Sequence, residues 1–159
     1  MEQKTLSNWL KGIIIGVGIC GLIIYGVIVP MFGFSIAETY DEFSYMLYPW
    51  LVFIWISALP CYAVLFCGLK IAVNIGKDNA FCMKNASLFK WISGLALGDT
   101  VYFFIGHLVL MMLNMSHPSI VLLSLFVEFF GIAIAIVAAV MSHLVKKAAL
   151  LQDENDLTI

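Results

Sequence analysis

The sequence predicts an all-α integral membrane protein, a four-helix bundle with both termini on the cytoplasmic side. Three observations carry that prediction. The 159-residue chain is 63% hydrophobic and 11% charged, whereas soluble domains run at roughly 45–50% and about 25%. Its apolar residues are gathered into four runs, each reaching the roughly 20 residues that cross about 30 Å of hydrocarbon. Its lysines fall into clusters that share one side if the chain threads the bilayer four times.

The runs cover approximately residues 10–32, 47–73, 88–113 and 119–145, with a tail at 146–159, and residues 1–159 read as a single membrane domain. In lipid the backbone has to satisfy its own hydrogen bonds, so each run is expected to be helical. The first, "LKGIIIGVGICGLIIYGVIVPMFG", is too long for a signal-peptide core and lacks a small-x-small cleavage site. It is expected to stay as the first span. Pro49 suits the first turn of the second span, and Pro60 should kink it. Trp9, Trp50 and Trp91 fall near expected interfaces, as aromatic belts do, and Trp55 is placed deeper, where it should pack. Pro118 introduces the fourth span.

Orientation follows from charge. Lys4 and Lys11 precede the first span, Lys70, Lys77, Lys84 and Lys90 lie in or beside the second loop, and Lys146 and Lys147 follow the fourth span. The other two loops carry no lysine: "GFSIAETYDEFSYM" holds Glu38, Asp41 and Glu42, and "NMSHP" is uncharged. The positive-inside rule predicts that both termini lie in the cytoplasm. Within the first outer loop "SIAE" has the capping-box pattern at Ser35 and Glu38, which predicts a short surface helix. Its acids also form a patch suited to a cationic ligand or peptide.

Several function classes are disfavoured. A net charge of -2, with every basic residue a lysine and no arginine, argues against direct nucleic-acid binding. Cys20, Cys61, Cys67 and Cys82 form no Cys-x-x-Cys pair, so neither zinc nor thiol redox chemistry is signalled and small packing residues are expected. There is no Gly-x-Ser-x-Gly, phosphate loop or nucleotide fingerprint. We expect no enzyme activity, no cofactor and no metal.

Membrane helices associate through small residues and polar contacts. Gly12 and Gly16 in span one, and Gly94 and Gly98 in span three, have the spacing for close approach. Span four carries Gly131, Ala135, Ala138, Ala139 and Ser142 on one stripe, headed by Glu128. Packing inside the bundle is the expected use of these faces, with a homo-oligomer as the alternative.

Three Asp, Glu or His residues stand well inside the spans, six or more residues from either end: Asp99, His107 and Glu128. A charge in hydrocarbon costs about 2.5–3.5 kcal/mol on insertion scales, so such groups generally face the bundle interior and have partners. Counted at 1.5 Å per residue, His107 and Glu128 differ in depth by about 5 Å, and Asp99 lies about 12 Å deeper than His107. A network of His107 with Glu128, and Asp99 beneath, is the expectation. It would serve as a proton relay, a cation site or a pH sensor, or else as a structural clamp.

The second loop contains "AFCMKNASLFKWI", and the chain ends "AALLQDENDLTI". These stretches, on four spans, resemble a family of small bacterial membrane proteins catalogued as a domain of unknown function, numbered 2975. "ENDLTI", Glu154 to Ile159, carries most of the likeness. The family's loop tends to begin Phe-Ser/Thr and continue Glu-Asn, where this chain has Phe81, Cys82, Lys84 and Asn85. The resemblance implies a regulatory membrane protein, since members are often encoded beside a helix-turn-helix regulator. A DNA-binding regulator is thus the implied cytoplasmic partner. An exposed tail with acids and apolar anchors can dock such a partner, so Glu154, Asn155, Asp156, Leu157, Thr158 and Ile159 are the candidate binding residues.

Overall fold

The computed structural model describes residues 2–116 and 118–156. Among them are four helical stretches long and apolar enough to cross a membrane, Gln3–Thr39, Ser44–Ile75, Met83–Met112 and Ile120–Asn155. All regular structure in the described residues is helical.

The first span is built from α1 (Gln3–Ile23), a wide π turn (Ile24–Ile28) and α2 (Val29–Thr39). The wide turn has a local cause. Pro30 lies in the first turn of α2 and has no N–H, and a proline ring crowds the carbonyl four residues back. The chain widens instead, and the Val29 N–H bonds to Ile24 O, five residues back. Helix α2 then continues past the "SIAE" sequence. Ser35 is therefore not a helix start, contrary to the expectation from its capping pattern. It lies inside α2, where its carbonyl accepts the Thr39 hydroxyl at 2.8 Å. Tyr40 is extended and ends the helix, and a short 3-10 turn (Asp41–Met46) leads into α3 (Leu47–Ile75).

Helix α3 runs through Pro60 without a break, and α4 (Met83–Met112) and α5 (Pro118–Asp156) complete the bundle. The helices pack in chain order: α1 on α3, α3 on α4, α4 on α5. Among the described residues the backbone of α5 approaches neither α1 nor α3, so the bundle is open. The α4–α5 contact is the most extensive. Its α5 face is the stripe of Ser124, Glu128, Ala135, Ala138, Val145 and Ala149, all buried, while Ser142 Oγ donates to Ala86 O at 2.7 Å. Ala139, expected on that stripe, is exposed, because one residue is a 100° turn around the helix.

The glycine pairs behave differently from expectation. A methyl group added at Gly12, Gly16, Gly94 or Gly98 would meet no neighbouring atom within 4 Å, so these faces are not used inside the bundle. The close approach of α1 to α3 falls instead at Gly18 and Gly21. Tyr62 Oη donates to Gly18 O at 2.9 Å, and a Cβ at Gly21 would lie 2.8 Å from that hydroxyl.

Polar clips close the lysine-bearing end. Ser7 Oγ donates to Ala72 O at 2.6 Å, joining the start of α1 to the end of α3. Asn85 organises the α3–α4 loop: its Oδ1 accepts from Asn74 Nδ2 at 2.7 Å, and its Nδ2 donates to Ala80 O at 2.9 Å. Asp78 takes a left-handed conformation (φ 55°), which Asp tolerates, to turn the chain. Beneath this end Ile71, Ile92 and Ala138 form a small core with Cys67, Leu88 and Phe89. At the opposite end Trp50 Nε1 donates to Met115 O at 2.6 Å and Tyr45 Oη to Asn114 O at 3.0 Å. These bonds satisfy carbonyls of the chain just beyond α4. Beside them α2, α3 and the α4–α5 turn line a half-open apolar cleft of about 850 Å³.

Candidate functional site

Asp99 lies near the middle of α4 and is half-buried. Its partner was not foreseen: Cys61 on α3, whose Sγ donates to Asp99 Oδ2 at 3.6 Å. Tyr25, in the wide π turn, donates its hydroxyl to Cys61 Sγ at 3.9 Å. A hydroxyl, a thiol and a carboxyl from three helices thus form one chain at mid-span. Asp99 Oδ1 is buried and has no hydrogen-bond partner. Such an atom costs free energy unless something satisfies it, and intramembrane acids of this kind mark proton or ion sites in many membrane proteins.

The surrounding backbone fixes this geometry. A wide turn leaves carbonyls without their usual intrahelical partners, and the Tyr25 carbonyl is taken by Trp55 Nε1 at 2.9 Å. Trp55, expected to be packed deep in the bundle, is half exposed and acts through its indole N–H. Ser57, one turn from Cys61 on α3, is wholly buried and bonds Ile54 O at 2.8 Å. Next to Asp99, Thr100 Oγ1 donates to Ala96 O at 2.8 Å, and its hydroxyl fills the space a Cβ at Gly131 would need. Helix α5 therefore sits directly behind the residue that follows the acid.

His107 lies in a separate aromatic cluster. It is 3% exposed, and its ring stands 5.2 Å from that of Phe53, 5.4 Å from Phe103 and 5.5 Å from Trp50, centroid to centroid. Its Nδ1 is 2.8 Å from Phe103 O; a carbonyl only accepts, so Nδ1 carries the proton. The Phe53 ring occupies the space a Cβ at Gly106 would fill. Glu128, 6% exposed on α5, accepts from Ser124 Oγ at 3.3 Å. No hydrogen bond among the described residues joins Asp99, His107 and Glu128. The three are distributed over a polar chain, an aromatic cluster and the α4–α5 seam, not gathered into one network.

The signal for Cys61 lay in helix counting. It stands 14 residues before the end of α3, and Asp99 stands 16 after the start of α4. Two antiparallel helices joined by one short loop bring such positions to similar depth. Tyr25 had no such signal, because the wide turn that aims it depends on how the chain accommodates Pro30. Among the described residues no group of three His, Cys, Asp or Glu could hold a metal ion.

At the lysine-bearing end α5 continues past Lys146 and Lys147 to Asp156, with Glu154 and Asn155 exposed. The candidate tail residues Leu157, Thr158 and Ile159 lie outside the described residues.

Four long apolar helices with rings such as Phe126, Phe129 and Phe130 facing outward define a multi-span α-helical membrane protein. A family model described as a protein of unknown function, DUF2975, matches residues 31–159, and the chain belongs to that family. It is 28% identical to the uncharacterized membrane protein YoaS of Bacillus subtilis (strain 168), with 99% of each chain covered. No solved structure matches it significantly.

Proposed function

We propose that this protein is a non-enzymatic regulatory component of the bacterial inner membrane. Both termini are cytoplasmic in this reading, and the α3–α4 loop and the segment from Glu154 to Ile159 engage a cytoplasmic protein, of the helix-turn-helix regulator kind. The observation that carries the proposal is the length of α5. Its 39 residues extend about 58 Å at 1.5 Å per residue, nearly twice the roughly 30 Å of hydrocarbon. One unbroken helix thus runs from the stripe headed by Glu128 to an exposed end beyond Lys147. A shift of α5 against α4 within the membrane would move that end directly.

In-cell crosslinking from a photoreactive residue at position 155 tests the contact, with and without residues 156–159. We expect a tail-dependent adduct with a soluble DNA-binding protein. Adducts unaffected by the deletion would end the proposal. Orientation is checked with an impermeant maleimide on intact cells: Glu38→Cys should react and Cys82 should not, and labelling of Cys82 would reverse the assignment.

The unpartnered Asp99 Oδ1 favours a second reading, a small transporter, channel or ligand or pH sensor that uses Asp99, His107 and Glu128. Ion flux into liposomes, compared between the wild type and the Asp99→Asn, Glu128→Gln variant, separates the two. Equal flux would leave these groups a packing role only.

A further inference from the structure

A groove of about 600 Å³ opens between α3 and α4 at the lysine-bearing end. Its character is divided. Lys70, Lys84 and Ser87 contribute polar groups, whereas Phe66, Val73 and Trp91 supply an apolar lining. No acid lines it, and no acidic side chain among the described residues pairs with either lysine. Lys70 Nζ stands 4.3 Å above the Phe66 ring, a cation–π contact that holds the ammonium at the groove and leaves its charge uncompensated. Lys84 is the second residue of α4, where the helix dipole adds positive potential and Cys82 provides no side-chain cap. The exposed Trp91 is a side chain suited to the headgroup level of a bilayer.

We propose that this groove seats one anionic phospholipid. The phosphate lies between Lys70 and Lys84, within reach of Ser87, and an acyl chain follows Leu69 and Phe66 toward the bilayer centre. Two cations above an apolar floor, on adjacent helices at the membrane surface, match a charged headgroup joined to a hydrocarbon tail. Basic pockets between membrane helices take such lipids by the same logic. A soluble anion would use the lysines and leave the apolar lining without a partner. The site stands independently of the regulatory reading.

The test uses the full chain in nanodiscs of equal parts phosphatidylglycerol and phosphatidylcholine, released into mild detergent, with retained lipids identified by native mass spectrometry. The wild type is expected to keep phosphatidylglycerol in preference to phosphatidylcholine. Juxtamembrane lysines contribute enough that each loss should weaken retention about fivefold, and Lys70→Gln with Lys84→Gln roughly thirtyfold. Lys146→Gln with Lys147→Gln removes the same charge from the same end and should retain lipid as the wild type does. Equal loss in both double variants, or wild-type retention by Lys70→Gln with Lys84→Gln, would overturn the proposal. Inorganic phosphate added to the detergent-solubilised protein should leave the lipid bound. Its ready displacement would reduce the groove to an ion site and overturn the lipid assignment.

Discussion

Gly131→Ala is a sharp probe of how α5 is held behind Asp99. The added methyl would fall onto Thr100 Oγ1, while Thr100 Cβ, at 3.5 Å, would be in ordinary contact. Overpacking of this kind costs about 1–3 kcal/mol. Replacing glycine in a helix returns up to about 1 kcal/mol of backbone preference. The net destabilisation should therefore be up to about 2 kcal/mol. Thr100→Ala removes the obstructing hydroxyl, and its bond to Ala96 O lies within its own helix, so its cost should be about 0.6 kcal/mol, typical of membrane hydrogen bonds. In the double variant the new methyl has room. The two changes should then couple by the relieved overpacking, about 1–3 kcal/mol, well above the 0.5 kcal/mol scatter of independent sites. Unfolding in mixed micelles, followed by circular dichroism for the wild type, both single variants and the pair, measures that coupling. Additivity within 0.5 kcal/mol would refute a close α4–α5 contact at this depth.

Two further outcomes follow from the polar clips. Asn85→Ala leaves the half-buried Asn74 Nδ2 and Ala80 O without their partner, at a cost near the lower end of the about 1–3 kcal/mol for a stranded buried group; limited proteolysis in nanodiscs should show faster cleavage within residues 76–82, and an unchanged rate would contradict the role of Asn85. Trp50→Phe keeps the ring in the His107 cluster but loses the bond to Met115 O, so hydrogen exchange at residues 113–116 should rise several-fold with little effect on α3.

The span count and class were legible because hydrophobic run length acts over tens of residues and survives local detail. The buried face of α5 was legible for the same reason: Glu128, Gly131, Ala135 and Ala138 repeat at helical spacing. Ser35 misled because a capping pattern is only a local preference, and an apolar helix already running past it prevailed. The glycine pairs misled because spacing says that a helix can approach, not which one does. Asp99 was legible as an anomaly, but its partners were not. Cysteine reads as a packing residue until a carboxyl is brought to its depth, and Tyr25 is aimed by a backbone irregularity that no side-chain pattern announces.

That irregularity makes residue number itself a determinant of the polar chain. A π turn is in effect one surplus residue threaded into a regular coil. Deleting a single residue between 24 and 28 would restore even spacing, yet swing α1 about 100° around its axis relative to α2. The phenol would leave the thiol and the indole would lose its carbonyl, although no side chain at the site had been altered. Chains of this kind that differ by one position there should carry differently wired interiors on the same four spans.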